Sequence, residues 1–213
     1  MENLVEHVRK ILPEIQGWCT PEKAEKFIEL IGKIKPDLCL EIGVFGGSSF
    51  IPQALALKEN NKGMLYGIDP WRNDAALEEM IHDDHKKWWS NLNLESVYNH
   101  CTKNIQKFKV ENFCTLIRDK AENVVDQFAD ESIDILHIDG NHSEALSFKD
   151  ATLYLPKVKV GGYIMFDDIW WSEENNYVTT RKAIVHLLQY CDKVDLVNTD
   201  CMLLQKRIST IVA

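Results

Sequence analysis

Short apolar runs alternate with amphipathic stretches along most of the chain. Apolar runs bounded by glycine, proline or acid read as buried strands, and apolar residues recurring every three or four positions read as helices packed on them. On this reading, strands occupy 38–42, 64–68, 113–117, 133–138 and 163–166, and two further strands at 193–197 and 201–206 form a hairpin around Asn198, Thr199 and Asp200. Helices fall at about 50–57, 121–128, 143–155 and 178–190, with Pro156 closing the third of them. Thr20-Pro21-Glu22 is a helix start, with a capping hydroxyl, proline at the first helical position and an acid in the first turn; Pro36 ends that helix. The alternation predicts an α/β fold, a doubly wound and mostly parallel seven-stranded sheet with an antiparallel last strand. Residues 1–35 read as a helical N-terminal extension before a main domain at 36–213, and the long polar stretch 72–108 as a helical insertion able to cover a substrate.

The polar residues of interest fall where these strands end, and open α/β sheets bind ligands outside the carboxyl ends of their strands. The first strand runs into Glu41-Ile-Gly-Val-Phe-Gly-Gly-Ser-Ser49. A glycine-rich turn there lets a ligand approach the backbone and offers free N–H groups at a positive helix end. The pattern is E-x-G-x-x-G-G, not the G-x-G-x-x-G of a dinucleotide site. It suits a zwitterion, with Glu41 facing an ammonium and the Ser48-Ser49 helix start facing a carboxylate. Asp69, ending the second strand, is placed to accept the hydroxyls of a ribose.

Asp139 ends the fourth strand, and Asp167 and Asp168 end the fifth. Neighbouring strands lie about 5 Å apart, so three carboxylates there repel one another unless a cation joins them. An all-oxygen set points to a hard ion, Mg²⁺ first, with Mn²⁺ or Ca²⁺ as alternatives. His142 is the candidate general base because its ordinary pKa lies near working pH, and Asp139 takes that role if no metal binds. His137, inside a strand, reads as a core residue. His82-Asp83-Asp84-His85 reads as a solvated helix surface, Trp88 and Trp89 as part of a lid, and Trp170-Trp171 as a face on which a sugar stacks.

These segments, with Gly67-Ile-Asp-Pro-Trp71, His137-Ile-Asp-Gly-Asn-His142 and Gly161-Gly-Tyr-Ile-Met-Phe-Asp-Asp-Ile169, resemble the class I S-adenosylmethionine-dependent methyltransferases over roughly residues 18–206. The likeness is strongest to the small metal-dependent sugar and catechol O-methyltransferases. It implies that Glu41, Gly43 and Gly47 line the methionine part, that Asp69 holds the ribose, that Trp71 flanks the adenine, and that Asp119 and Lys120 border it. It also implies Mg²⁺ on Asp139, Asp167 and Asp168, chelating two neighbouring substrate oxygens. Two departures from the catechol type concern the base: Asp168 stands where that type has an amide, and His142 where it has a lysine.

Composition narrows the partners. A formal net charge of -9 argues against a nucleic-acid backbone as the main partner, despite Lys86-Lys87-Trp88-Trp89. No apolar run approaches the roughly 18–20 residues that span a bilayer, and the acidic start MENLVEHVRK is unlike a secretory signal, so the expected compartment is the cytoplasm. The six cysteines form no C-x-x-C pair and read as reduced and structural. The expected partner is a small-molecule or glycan hydroxyl acceptor, with room for a homodimer. The alternatives are a metal-independent O- or N-methyltransferase, a catechol-like phenol O-methyltransferase, a nicotinamide-dependent dehydrogenase, and a binding module without activity.

Overall fold

The computed structural model describes residues 1–172 and 177–210. Among them, seven strands form one sheet: β1 (Leu38–Ile42), β2 (Met64–Ile68), β3 (Cys114–Ile117), β4 (Ile133–Ile138), β5 (Val158–Phe166), β6 (Cys191–Val197) and β7 (Cys201–Lys206). Their order is β3-β2-β1-β4-β5-β7-β6. The first five are parallel, and β7 lies antiparallel to both β5 and β6. Strand order reverses at β1, between β2 and β4, and the glycine turn leaves from that switch point. Ile42 pairs with Ile68 and Ile138, and Ile138 with Phe166, so these strands end level with one another. The register therefore sets Gly43, Asp69, Asp139 and Asp167 along one edge of the sheet.

Helices cover both faces. On one face α1 (Glu2–Ile11), α2 (Pro21–Ile34), α3 (Phe50–Asn60) and α6 (Leu94–Phe108) bury Val8, Phe27, Ile31, Phe50, Val97 and their neighbours. On the other, α7 (Ala121–Val124), α8 (Glu144–Tyr154) and α9 (Arg181–Leu187) bury Val124, Ala151, Tyr154 and Leu187. The helical segment 1–35 thus packs on the same core as the sheet. Thr20 caps α2 by accepting from the Lys23 N–H, and Lys35 ends it in the left-handed region at φ 48°.

Several element bounds differ from the pattern reading. Gly161-Gly162 does not open β5 but lies inside it: the strand begins at Val158, and Gly161, at φ 85°, sits at an irregularity in the β4–β5 register. The stretch 72–108 divides into α4 (Asn73–Ala76), α5 (Asp83–Asn91) and α6, with Glu79 at φ 57° in the first gap and Asn93 capping α6 in the second. The helix expected at 178–190 is confined to Arg181–Leu187, because β6 already begins at Cys191. No helix among the described residues is long and apolar enough to cross a membrane.

Candidate active site

A cavity of about 600 Å³ opens along the carboxyl edge of the sheet. Gly43, Ser48, Ser49, Asp69, Lys120, Asp139, His142, Asp167 and Asp168 all line it. Sheet order fixes its ends: the turn after β3, with Lys120 to Glu122, is at one end, and the loop after β5, with Asp168 and Trp171, is at the other.

Gly43 has φ 87°, and a Cβ there would stand 1.9 Å from the Asp139 carbonyl oxygen. The tips of β1 and β4 cross too closely for any side chain at 43. Asp69 holds the turn from the other side, its Oδ2 accepting from the N–H groups of Val44 (3.2 Å) and Phe45 (2.9 Å) and its Oδ1 from that of Trp71 (2.7 Å). Burial raises the Asp69 pKa, and these backbone bonds oppose the rise. A carboxylate has about four acceptor sites, so these three backbone bonds leave Asp69, which lines the cavity, with acceptor capacity to spare. No side chain caps the start of α3 at Ser49 and no acid lies in its first turn, so its positive end stays available to an anion.

Four residues expected to touch a cofactor do not line the cavity. The Glu41 carboxylate is fully buried, accepts hydrogen bonds from Ser49 Oγ (2.6 Å) and Gln53 Nε2, and lies 3.5 Å from His137 Nδ1. It braces the turn from beneath. Gly47 packs on Cys101, whose Sγ would lie 3.0 Å from a Cβ at 47. Trp71, at φ 44°, turns its ring under the glycine turn, where Nε1 donates to the Phe45 carbonyl at 2.9 Å and the ring meets Tyr98 edge-on. The Asp119 carboxylate accepts from Lys120 N–H and Asn123 Nδ2, both at 2.7 Å, which shapes its own loop. Lys120 lines the cavity but is ion-paired with Glu78.

The acids at the tips of β4 and β5 divide into two sets that share Asp139. Asp139, His142 and Asp168 each offer one donor atom, all within 4.8 Å of one another, and His137, Asp139 and Asp167 do the same. His142 Nε2 lies 3.0 Å from Asp168 and 3.5 Å from Asp139. Burial, then Asp167, push the Asp139 pKa up to about 7, with His142 opposing. Burial works against protonated His142, but Asp139 and Asp168 outweigh it and raise its pKa.

Asp167 is compensated by a residue that the pattern reading passed over. Lys23, from the first turn of α2, forms a buried ion pair with it. Burial works against the lysine's charge, but Asp139 and Asp167 hold its proton on. On the same face His137, fully buried, lies 3.7 Å from Asp167, and its ring meets Phe27 edge-on. Burial opposes its protonation, yet Glu41 and Asp167 raise its pKa to about 10. His137 thus sits between two acids, Glu41 and Asp167, that favour its protonated form. The Asp167 carboxylate, which burial alone would raise, is held well below the usual range by His137 and Lys23.

Aromatic rings close the outer side. Trp171 stacks against His142 at 4.6 Å and His85 at 5.1 Å between centroids, so His85 is not purely solvated surface. Trp18 bridges Phe45 at 4.8 Å and Trp88 at 5.6 Å. Trp170 is 65% exposed and donates from Nε1 to the Thr199 carbonyl. Glu173, Glu174, Asn175 and Asn176 lie outside the described residues.

This sheet order, with a glycine turn at the switch point and acids at the next three strand tips, defines a class I methyltransferase domain. Residues 40–169, more than half of the chain, match the family described as a methyltransferase domain, and the chain belongs to that family. An uncharacterized protein of Acanthamoeba polyphaga mimivirus, R132, is 33% identical over 137 residues, covering 63% of this chain and 52% of its own length. The chain therefore spans about half the length of that relative. Two solved structures share the fold. The SAH-bound methyltransferase PaMTH1 of Podospora anserina is 12% identical with a TM-score of 0.66, over 98% of this chain and 89% of that one. The O-methyltransferase TomG of Streptomyces achromogenes, involved in tomaymycin synthesis and solved with SAM, is 13% identical with a TM-score of 0.65, over 98% and 91%.

Proposed function

We propose that this chain is an S-adenosylmethionine-dependent O-methyltransferase that uses a divalent cation and acts on a hydroxyl of a sugar or glycan. The observation that carries the reading is the set of Asp139, His142 and Asp168, with donor atoms within 4.8 Å, beside a cavity built on the glycine turn. Two carboxylates and an imidazole suit Mg²⁺ less exclusively than an all-oxygen set does, and favour Mn²⁺ more. Asp167, which the resemblance adds to the metal set, already has its charge balanced by Lys23 and His137.

When bound, the cofactor supplies an electrophilic methyl carbon, and the cation lowers the pKa of a nearby hydroxyl. The protein's part is alignment and proton removal. The start of α3 and the turn at Gly43 receive the amino-acid end, Asp69 takes a ribose hydroxyl, and Trp18, Trp88 and Trp171 line the side open to the acceptor. A His142 that ligates the cation cannot also be the base, so His142 accepts the acceptor's proton only where the cation rests on Asp139 and Asp168. Much of the acceleration comes from holding donor and acceptor in line.

A second reading, methyl transfer without metal, is favoured by one observation: Lys23 already forms a buried ion pair with Asp167, and His137 lies 3.7 Å from the same acid. A chelator experiment with a panel of sugar, catechol and amine acceptors separates the readings. Metal-dependent sugar methylation, lost in Asp168→Ala with cofactor affinity retained, supports the first. Full turnover in excess chelator overturns it in favour of the second, and turnover only on catechols moves the acceptor to a phenol.

A further inference from the structure

The end of the cavity beneath the turn after β3 holds an acid with no assigned task. Ile42, Ile68, Ala121, Glu122, Gly140 and Asp150 line it. Its polar groups are nearly all committed: Lys120 to Glu78, Glu122 to Lys149 at 3.1 Å, and the Ala121 carbonyl to Tyr154 Oη at 2.7 Å. Asp150 is the exception. It projects from the inner face of α8, is 7% exposed, and makes no hydrogen bond or ion pair with any described residue. Its Oδ2 would stand 3.0 Å from a Cβ at 140, so it reaches the cavity past a residue without a side chain.

A buried carboxyl without a partner destabilises a fold, and such a group is tolerated where a ligand completes it. Its neighbours say which ligand. The walls there include the apolar side chains of Ile42, Ile68 and Ala121, suited to the face of a purine ring, and the uncommitted polar group among them is the Asp150 carboxyl. Burial, with Glu122 adding to it, pushes the carboxyl up to about 7, so near neutral pH it is available in both forms. The ionised form accepts from an amine, and the neutral form can also donate to a ring nitrogen.

We propose that Asp150 reads the 6-amino edge of adenine, accepting a hydrogen bond from the exocyclic amine and setting the site's preference for 6-aminopurine over 6-oxopurine nucleosides. The inference rests on the reading that this cavity takes an adenosyl cofactor. A site built around a polar contact rejects an analogue that lacks it, because the buried group is then left unpaired.

The test is calorimetric binding of S-adenosylhomocysteine and S-inosylhomocysteine to the full chain, with thermal melts of each variant. The unaltered protein is expected to prefer the adenosyl compound by about tenfold or more. In Asp150→Ala the ratio should fall close to one, chiefly through weaker binding of the adenosyl compound, while the ligand-free melting temperature stays level or rises. Asp150→Asn, of nearly the same shape, offers both an acceptor and a donor and should narrow the ratio by improving the inosyl compound. A ratio unmoved in both variants overturns the assignment of Asp150 alone. Failure of the unaltered protein to bind either nucleoside overturns the cofactor reading beneath it.

Discussion

Lys23 is 5% exposed and its partner Asp167 is 2% exposed, so both charges rely on protein groups, chiefly each other, rather than on water. Removing one member of a buried pair leaves the other uncompensated, at a cost of about 3–5 kcal/mol. Lys23→Met should lower the unfolding free energy by that amount in denaturant melts, and the double variant with Asp167→Asn should recover most of it. Strictly additive losses would show that the two are not coupled. Asp150 gives a pH signature of its own. Its native pKa is raised to about 7, and its unfolded value is about 3.9. Between those values the native state holds a proton that the unfolded chain has released, so stability falls as pH rises through that window and levels off above it. Asp150→Asn removes this slope. Its stability relative to the unaltered protein should grow across the window by on the order of 1–4 kcal/mol, and a constant difference would show an unshifted carboxyl. Both residues left a trace in the sequence. Lys23 stands four residues before Phe27, and Asp150 four before Tyr154, each on the buried stripe of its helix. A lysine on such a stripe ordinarily runs its stem outward to water, and only the fold reveals that Asp167 waits inside. Glu41 and Trp71 show the converse. Their places at strand tips were legible, but the side each chain takes depends on Ser49, Gln53 and Tyr98, which the local sequence does not bring together.

At the scale of elements, the strands were the most legible parts, because short apolar runs ending in glycine or acid have few other readings. The polar stretch 72–108 was the least legible, since amphipathic periodicity there is carried by few apolar residues. The division into α5 and α6 matters for dynamics. α6 buries Leu94, Val97, Cys101 and Ile105, whereas α5 buries no residue. α5 is held through ring contacts, Trp88 on Trp18 and His85 on Trp171. Few buried contacts mean a low free energy of local opening. Amides of α5 should therefore exchange with deuterated water much faster than those of α6 in the free protein, and should slow when cofactor and acceptor are both bound. Equal protection of the two helices in the free protein would remove α5 as a movable cover.

For the whole molecule, the parallel register is what makes a site from scattered motifs. Gly43, Asp69, Asp139 and Asp167 are spread over 124 positions of chain, yet they meet because the strands carrying them end level. The acidic balance of the chain, -9, makes the cluster of Asp139, Asp167 and Asp168 costlier still, since surrounding charge adds to local repulsion. On the proposed reading, two kinds of cation would act against that repulsion: Lys23, with His137 beside it, and an ion at Asp139, His142 and Asp168. The two make different predictions for global stability. A ligand that binds only the native state adds RT ln(1 + [L]/Kd), about 2.7 kcal/mol at a hundredfold excess over Kd, or about 5–10 °C in melting temperature for a domain of this size. S-adenosylhomocysteine should give an increment of that order in the unaltered protein and in Asp168→Ala alike. Mn²⁺ should add a second increment in the unaltered protein and none in Asp168→Ala, because the variant lacks one of the three donors while Lys23 and His137 still balance Asp167. If Mn²⁺ stabilises both proteins equally, the ion binds elsewhere, and the fixed cations alone keep the acids together.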